Sequence, residues 1–483
     1  MLFKNKRVLI FGLGSLGGGL ANVEFFIKNK AQLRITDLKT EKELKGQIKK
    51  IEEIIQRFNY KFKIKYILGK HRKKDFDWAN IIVVNPAISY KNIYVKYAQK
   101  KKKIIVNDCY LFFKLIKSET IAITGTRGKT TTSYFTYQLF KKFINKSVIL
   151  GGNQPEKALL KIINKQANLF ILELSSFQLE FYQSNLKAPK IAVITNLYND
   201  HLDRYQTMKE YALTKAKIFL NQTKNDLLIL NYDNKWTNIF LRKKPKSNIF
   251  YISGKKNKNK LNGVFVFNKK IIIKSNKELI KIKIEKIKHW GIHNIFNLAT
   301  ALLIIYLYAS LKKIKLNWSL IEKYLDKLKF PEFRQQIVYK KNNLIIINDS
   351  ASTAPQATIE AIKRFAQKNL NLILIIGGTD KNLDFKELAK IIKSKIKPKN
   401  LIILNGTASQ KLFKNLKLIK YNLNSNQICD SLENCLKKAL ELINKKKNNL
   451  ILFSPGAASF EKFKNEFDRG KKFNLLIKKL VQK

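Results

Sequence analysis

Residues 121–124 form an apolar run that breaks into Gly125-Thr126-Arg127-Gly128-Lys129-Thr130-Thr131. Backbone N–H groups in such a turn, together with the N-terminus of a following helix, cradle phosphates. Lys129 can reach the β- and γ-phosphates, and the hydroxyl of Thr130 can hold magnesium. Only Thr126 and Arg127 separate Gly125 from Gly128, a shorter spacing than the common P-loop. Glu173 ends the apolar run 169–172 and precedes Ser175 and Ser176. A carboxylate there suits a second oxygen ligand for magnesium beside bound phosphate, or it caps or begins a helix. His201, in Asn199-Asp200-His201-Leu202-Asp203-Arg204, follows the run 191–195. That is the strand end where α/β sheets bind ligands, although a lone histidine also serves as a structural residue. Lys215 by itself reads as a solvent-facing helix residue. Gly12-Leu13-Gly14-Ser15-Leu16-Gly17, with Asp37 about 20 residues further on, is a formal dinucleotide fingerprint and alone suggests a Rossmann dehydrogenase.

These residues need a scaffold of strands that deliver tight turns. Three β-branched or Leu-rich runs end in glycine, at 8–14, 121–128 and 372–378. Further short apolar runs lie at 81–84, 169–174, 191–195, 227–230, 344–347, 401–404 and 450–453, spaced to leave room for helices. The fold class expected is α/β with mostly parallel sheets. At roughly 100–200 residues per domain the 483 residues suggest three domains. The boundaries fall near 117–118 and near Pro331, after a helix-like stretch at 316–328, giving domains 1–117, 118–329 and 330–483. The Lys- and Asn-rich runs 255–260 and 445–449 read as exposed loops.

Composition narrows the function classes. Hydrophobic residues make up 45% and aromatic residues 11%, enough to build a core in each domain. Lys and Arg total 95 against 34 Asp and Glu, a formal charge of +61. The basic residues are mostly lysine, spread along the whole chain with abundant Asn and Ile, and no nucleic-acid motif accompanies them. The charge therefore reads as a composition bias that still draws in anionic substrates. The three cysteines, Cys109, Cys429 and Cys435, have neither CxxC spacing nor neighbouring histidines, so they indicate no disulfide framework and no zinc site. The N-terminus runs straight into a strand and a glycine turn rather than a secretory h-region. The most apolar stretch, 298–311, is shorter than the roughly 20 residues a membrane span needs. A soluble, cytoplasmic protein without a membrane partner is expected.

Taken together these strings resemble the Mur ligase family, in order and over nearly the whole chain, and lie nearest the members that use D-glutamate. Gly125–Thr131 resembles that family's short GTxGK[ST]T loop, which implies that Gly125, Thr126, Arg127, Gly128, Lys129, Thr130 and Thr131 bind ATP. The string 173–180, LELSSFQLE with its preceding leucine, and the DHxDR-like string 200–204 imply that Glu173 and His201 join Thr130 around magnesium. Lys215 matches the lysine that family members carry as a carbamate. Gly291-Ile292-His293-Asn294 resembles GxHNxxN, implying adenine contact by Asn294; read without the family, Asn294 caps a helix. Arg334 and Asp349 correspond to residues that engage ATP. The resemblance assigns Gly14, Ser15, Leu16, Asp37, Asn85, Pro86 and Asn153 to a UDP-linked substrate, and Lys381, Ser459 and Phe467 to D-glutamate. It implies a Rossmann-like N-terminal domain, a central P-loop-type ATPase domain and a Rossmann-like C-terminal domain. The implied activity is ATP-dependent joining of D-glutamate to UDP-N-acetylmuramoyl-L-alanine through an acyl phosphate, in the synthesis of cell-wall peptidoglycan precursors. Lys129, Glu173, His201 and Lys215 would carry the catalysis, in a monomer with no specific nucleic-acid partner. The readings to be separated from it are another Mur-type amide ligase, including a folylpolyglutamate-like one, an NAD-binding oxidoreductase, and a non-enzymatic nucleic-acid-binding paralogue.

Overall fold

The structure is a computed structural model that describes residues 3–15, 17–144, 147–153, 155–255, 261–276, 278–367 and 369–481. Leu16 and most of the expected loop 255–260 lie outside the described residues. The chain divides into two compact units, one comprising Met1–Lys288 with Ile292–Leu328 and the other His289–Gly291 with Lys329–Lys483.

The first unit contains two sheets. In the first, β1 (Arg7–Phe11), β2 (Gln32–Asp37), β3 (Lys65–Leu68), β4 (Ile81–Val84) and β5 (Ile104–Val106) are all parallel, in the order β3-β2-β1-β4-β5. The Ile, Val and Leu residues of β1 and β4, at the middle of the sheet, are buried because helices cover both faces of a parallel sheet. The chain order reverses between β1 and β4, and the glycine turn after Phe11 and Asn85 after Val84 both sit at that switch point, where open α/β sheets bind ligands.

The second sheet is built from β6 (Glu119–Thr124), β7 (Val148–Gly152), β8 (Leu169–Glu173), β9 (Ile191–Ile194), β10 (Leu227–Asn231), β11 (Asn248–Ser253), β12 (Gly263–Phe267), β13 (Lys270–Lys274) and β14 (Leu279–Lys283). Its order is β14-β13-β12-β11-β10-β9-β6-β8-β7, with β6 held between β8 and β9. Strands β6 to β12 are parallel, while β12 to β14 form antiparallel hairpins that the sequence reading did not anticipate. Phe267 pairs with Lys270 across Asn268-Lys269, both with positive φ (46° and 55°), the two-residue turn whose twist matches paired strands. The helix Ile292–Leu311 extends beyond the apolar stretch expected at 298–311. It is long and apolar enough to cross a membrane by those criteria alone, but 78% of its apolar window is buried in the fold, so it is a core helix. The helix-like stretch 316–328 is a short helix, Trp318–Tyr324, followed by a 3-10 turn.

In the second unit β15 (Gln336–Lys341), β16 (Leu344–Asn348), β17 (Leu370–Ile376), β18 (Leu401–Leu404), β19 (Ile428–Cys429) and β20 (Asn448–Phe453) follow the order β15-β16-β20-β17-β18-β19. All pairs are parallel except β15 with β16. The expected loop 445–449 ends early, since β20 begins at Asn448 and Asn449 is buried. The protein is therefore α/β with parallel-dominated sheets. The C-terminal ends of β16, β17 and β20 deliver Asp349, Gly377-Gly378 and Ser454-Pro455-Gly456 to one edge.

Candidate active site

Strand β6 hands its last residue, Thr124, to the turn 125–128, and the helix Lys129–Phe143 starts directly behind it. The neighbouring strand ends supply the surroundings. Ile123 pairs with Glu173 of β8 and Thr124 with Ile194 of β9. Thr195 and Asn196, just past β9, brace the turn: Arg127 N–H donates to Asn196 Oδ1 (2.8 Å) and Thr195 Oγ1 to the Arg127 carbonyl (2.7 Å). The sequence reading assigned neither residue a role, although they are the first two residues past the strand.

The turn needs its glycines. Gly128 has φ +83°, and a Cβ there would stand 2.4 Å from Asn297 Oδ1. Asn297 also accepts from Thr132 Oγ1 (3.3 Å) and shares the helix Ile292–Leu311 with Asn294, one turn earlier. Asn294 is buried within the first turn rather than flanking it, so the reading of Asn294 as the helix cap is corrected. Gly128→Ala is expected to displace Asn297 and place an L residue in left-handed backbone. The expected cost is about 1–2 kcal/mol of stability with a drop of roughly one order of magnitude in ATP affinity. A thermal melt and a nucleotide titration measure both, and unchanged affinity would show that the turn does not grip nucleotide.

Lys129 Nζ donates to the carbonyls of Gly125 (3.0 Å) and Thr126 (3.2 Å). Lys215, from the helix Met208–Ala216, shares the Gly125 acceptor at 3.0 Å and lies 4.7 Å from the Tyr211 ring centroid. Lys215 is 1% exposed, which overturns its reading as a solvent-facing residue. Burial, reinforced by the nearby Lys129 charge and opposed by Asp200, holds its amine well below the usual lysine range. His201 sits in a left-handed turn residue (φ 56°) with its ring 4.8 Å from Phe177. Burial lowers its pKa against the opposing Asp200 charge, favouring a neutral imidazole with a lone pair to offer.

The donors present suit magnesium. Thr130 Oγ1 and Glu173 Oε1 stand 3.1 Å apart. Adjacent oxygens of an octahedron with metal–oxygen bonds of about 2.1 Å are separated by about 3 Å, so one ion can take both. Among the described residues no group of three or more His, Cys, Asp or Glu forms a metal cluster. Asn153 lies alongside, its N–H on the Glu173 carbonyl at 3.0 Å.

At the first sheet, Gly14 N–H donates to Asp37 Oδ2 (2.9 Å), Lys39 Nζ to Ser15 Oγ (3.2 Å) and Asn85 Nδ2 to the Gly12 carbonyl (3.1 Å). Gly14, Ser15, Asp37 and Asn85 thus surround one turn, and Pro86 follows Asn85 on its rim. Leu16, expected in the same set, is outside the described residues.

In the second unit, an antiparallel bridge between Thr379 and Ala458 joins the turns that carry Lys381 and Ser459. Ser459 is 3% exposed and its Oγ has no hydrogen-bond partner among the described residues. Lys381 Nζ stands 4.9 Å from the Phe460 ring centroid. Phe467 is placed instead against Phe333 (6.3 Å between centroids), at the turn that carries Arg334. Phe333 and Gln335, on either side of Arg334, both have positive φ (60° and 49°). Asp349 is buried, and its oxygens accept from Gln335 N–H, Ser352 Oγ and Ser454 Oγ. Burial raises its pKa to about 6 against those hydrogen bonds. The sequence reading gave no role to Arg469. It is fully buried and donates to Ser350 Oγ and to the carbonyls of Ser350, Ala457 and Ala458, fixing the turn before Ser459.

Comparison with known proteins matches residues 123–305 to the Mur ligase middle domain and residues 6–107 to the MurD-like N-terminal domain of Mur ligases. The chain is 34% identical over 477 residues to UDP-N-acetylmuramoylalanine--D-glutamate ligase of Borreliella afzelii, covering 98% of both chains. It is 32% identical to the enzyme of the same name from Clostridioides difficile, again over 98% of each. Among solved structures, the fold resembles UDP-N-acetylmuramate-alanine ligase MurC from Thermotoga maritima, with a TM-score of 0.57 at 17% identity over 97% of this chain and 98% of that one. It also resembles MurF ligase from Thermotoga maritima in complex with ADP, with a TM-score of 0.54 at 14% identity over 93% and 95%.

Proposed function

The chain belongs to the Mur ligase family, and we propose that it is the ATP-dependent ligase joining D-glutamate to UDP-N-acetylmuramoyl-L-alanine in peptidoglycan precursor synthesis. The observation that carries this reading is the meeting of Lys129, Thr130, Glu173 and Lys215 at the ends of β6 and β8, in a chain that aligns end to end with D-glutamate ligases.

A carboxylate resists attack by an amine because it is already an anion with no leaving group. Transfer of the γ-phosphoryl group of ATP to the alanyl carboxylate gives an acyl phosphate. The D-glutamate amine then attacks the carbonyl carbon, gives up a proton, and phosphate leaves. The N–H groups of 125–131 and the Lys129 ammonium hold and neutralise the transferring phosphoryl group. Magnesium bound by Thr130, Glu173 and His201 would supply further charge neutralisation between the phosphates. Lys215 carries a carbamate in this reading, because its depressed pKa leaves an amine able to take up CO2.

Asn294, Arg334 and Asp349 are assigned to ATP. Gly14, Ser15, Leu16, Asp37, Asn85, Pro86 and Asn153 are assigned to the UDP-linked substrate, and Lys381, Ser459 and Phe467 to D-glutamate. Each of the three sheets is the centre of one domain, 1–117, 118–329 and 330–483, in a cytoplasmic monomer with no specific nucleic-acid partner and no membrane partner. Offering the enzyme ATP, UDP-N-acetylmuramoyl-L-alanine and a panel of amino acids tests the assignment. Mass spectrometry should find the glutamyl product with D-glutamate and none with L-alanine or meso-diaminopimelate; a product with another amino acid instead of D-glutamate would move the chain to a different branch.

A further inference from the structure

One buried ion pair in the first unit joins the loop that the ligase reading assigns to the UDP-linked substrate to the turn that carries His201. Arg204, three residues past His201, forks onto Glu180 through Nε to Oε1 (2.6 Å) and Nη2 to Oε2 (2.8 Å). The two side chains are 9% and 1% exposed. The same guanidinium donates to the carbonyls of Ala87 (2.9 Å) and Ile88 (3.0 Å), in the loop that follows β4 and carries Asn85 and Pro86. Glu180 reaches that loop too, accepting from Tyr90 N–H at 3.1 Å. On its other side the guanidinium lies over the face of Phe177 at 4.1 Å, and the edge of the Phe177 contact is the His201 ring at 4.8 Å. A planar fork fixes position and orientation together, which a point charge on a flexible stem does not.

We propose that the Glu180–Arg204 pair is a positioning element for the reaction, holding the 85–90 loop of the first sheet in register with the His201 turn of the second. The UDP-linked substrate is gripped at one end by the first sheet and reacts at the other beside β6. Its carboxylate then meets the phosphoryl group only if the separation of these two loops is fixed. Arg204 and Glu180 act through Asn85, Pro86 and His201 and need touch no substrate themselves. ATP, held by 125–131, and D-glutamate, assigned to the second unit, do not depend on this joint for their own grip.

The inference rests on the ligase assignment and is tested in three variants, Arg204→Lys, Arg204→Gln and Glu180→Gln. The readouts are the KM for each substrate, kcat, ATP affinity by titration, and melting temperature. Arg204→Gln should raise the KM for the UDP-linked substrate and lower kcat by on the order of 10-fold each, as expected when reacting groups shift by a fraction of an ångström. ATP affinity and the KM for D-glutamate should stay within about 3-fold. Arg204→Lys, which keeps the charge and loses the fork, should fall between wild type and Arg204→Gln. If Arg204→Gln fails to fold, the near-isosteric Glu180→Gln decides, with the same selective rise expected. Wild-type constants for the UDP-linked substrate in Arg204→Lys and Glu180→Gln, or an equal shift for all three substrates, would overturn the proposal. A wild-type protein with no activity on the UDP-linked substrate would instead count against the ligase assignment.

Discussion

Lys129→Ala is expected to abolish ATP cleavage, lowering kcat by about 10³-fold, the loss typical when a preorganised charge is removed from a developing anion. The side chain is held at the turn, 3.0 and 3.2 Å from the Gly125 and Thr126 carbonyls, where phosphate oxygens cradled by the following N–H groups would meet it. The variant should fold, because the turn is braced independently by Thr195 and Asn196. Phosphate release under saturating substrates measures the effect, with Lys129→Arg expected to recover only a minor part because a planar guanidinium does not reproduce the compact point charge of an ammonium. An alanine variant within a few-fold of wild type would remove Lys129 from the chemistry.

The second large effect concerns Lys215. Burial to 1% exposure beside another lysine holds this amine well below the usual lysine range, which favours the neutral form, and a neutral amine can attack CO2, lose a proton and become a carbamate anion. Such an anion would accept hydrogen bonds and attract the divalent ion where the ammonium would repel it. Lys215→Ala should therefore lose on the order of 10²-fold or more in kcat. Lys215→Arg should be no better, since a guanidinium stays charged and forms no carbamate. Wild-type activity should fall in CO2-stripped buffer and return with bicarbonate, and labelled CO2 should give a carbamate carbon resonance missing from Lys215→Ala. Full activity without CO2 would reject the carbamate, and a fully active alanine variant would reject any role for the residue.

The strand ends were legible because a short apolar run that stops at glycine or a polar residue is a local signal, and Gly125–Thr131, Glu173 and Asn85 all sit at such ends in the structure. Lys215 and Arg204 were not legible from the residues alone. In a chain with 95 basic residues a lysine or arginine carries no mark of burial until the tertiary packing is known. In the sequence Glu180 is only the last residue of a motif; its hydrogen bond to Tyr90 spans 90 residues, a pairing that no local periodicity encodes. Arg469 is similar: its four acceptors come from segments around 350 and 457 that meet only at the strand edge. The hairpins β12 to β14 were not legible because Lys270–Lys274 carries three consecutive isoleucines between lysines, without the two-residue alternation that marks a half-buried strand.

Release of inorganic phosphate from ATP and magnesium, with each partner substrate supplied alone and then together, tests the central claim most directly. Sustained turnover should require UDP-N-acetylmuramoyl-L-alanine and D-glutamate at once, with one phosphate released per amide bond formed. Hydride transfer to a nicotinamide cofactor, or ATP cleavage indifferent to both substrates, would contradict it.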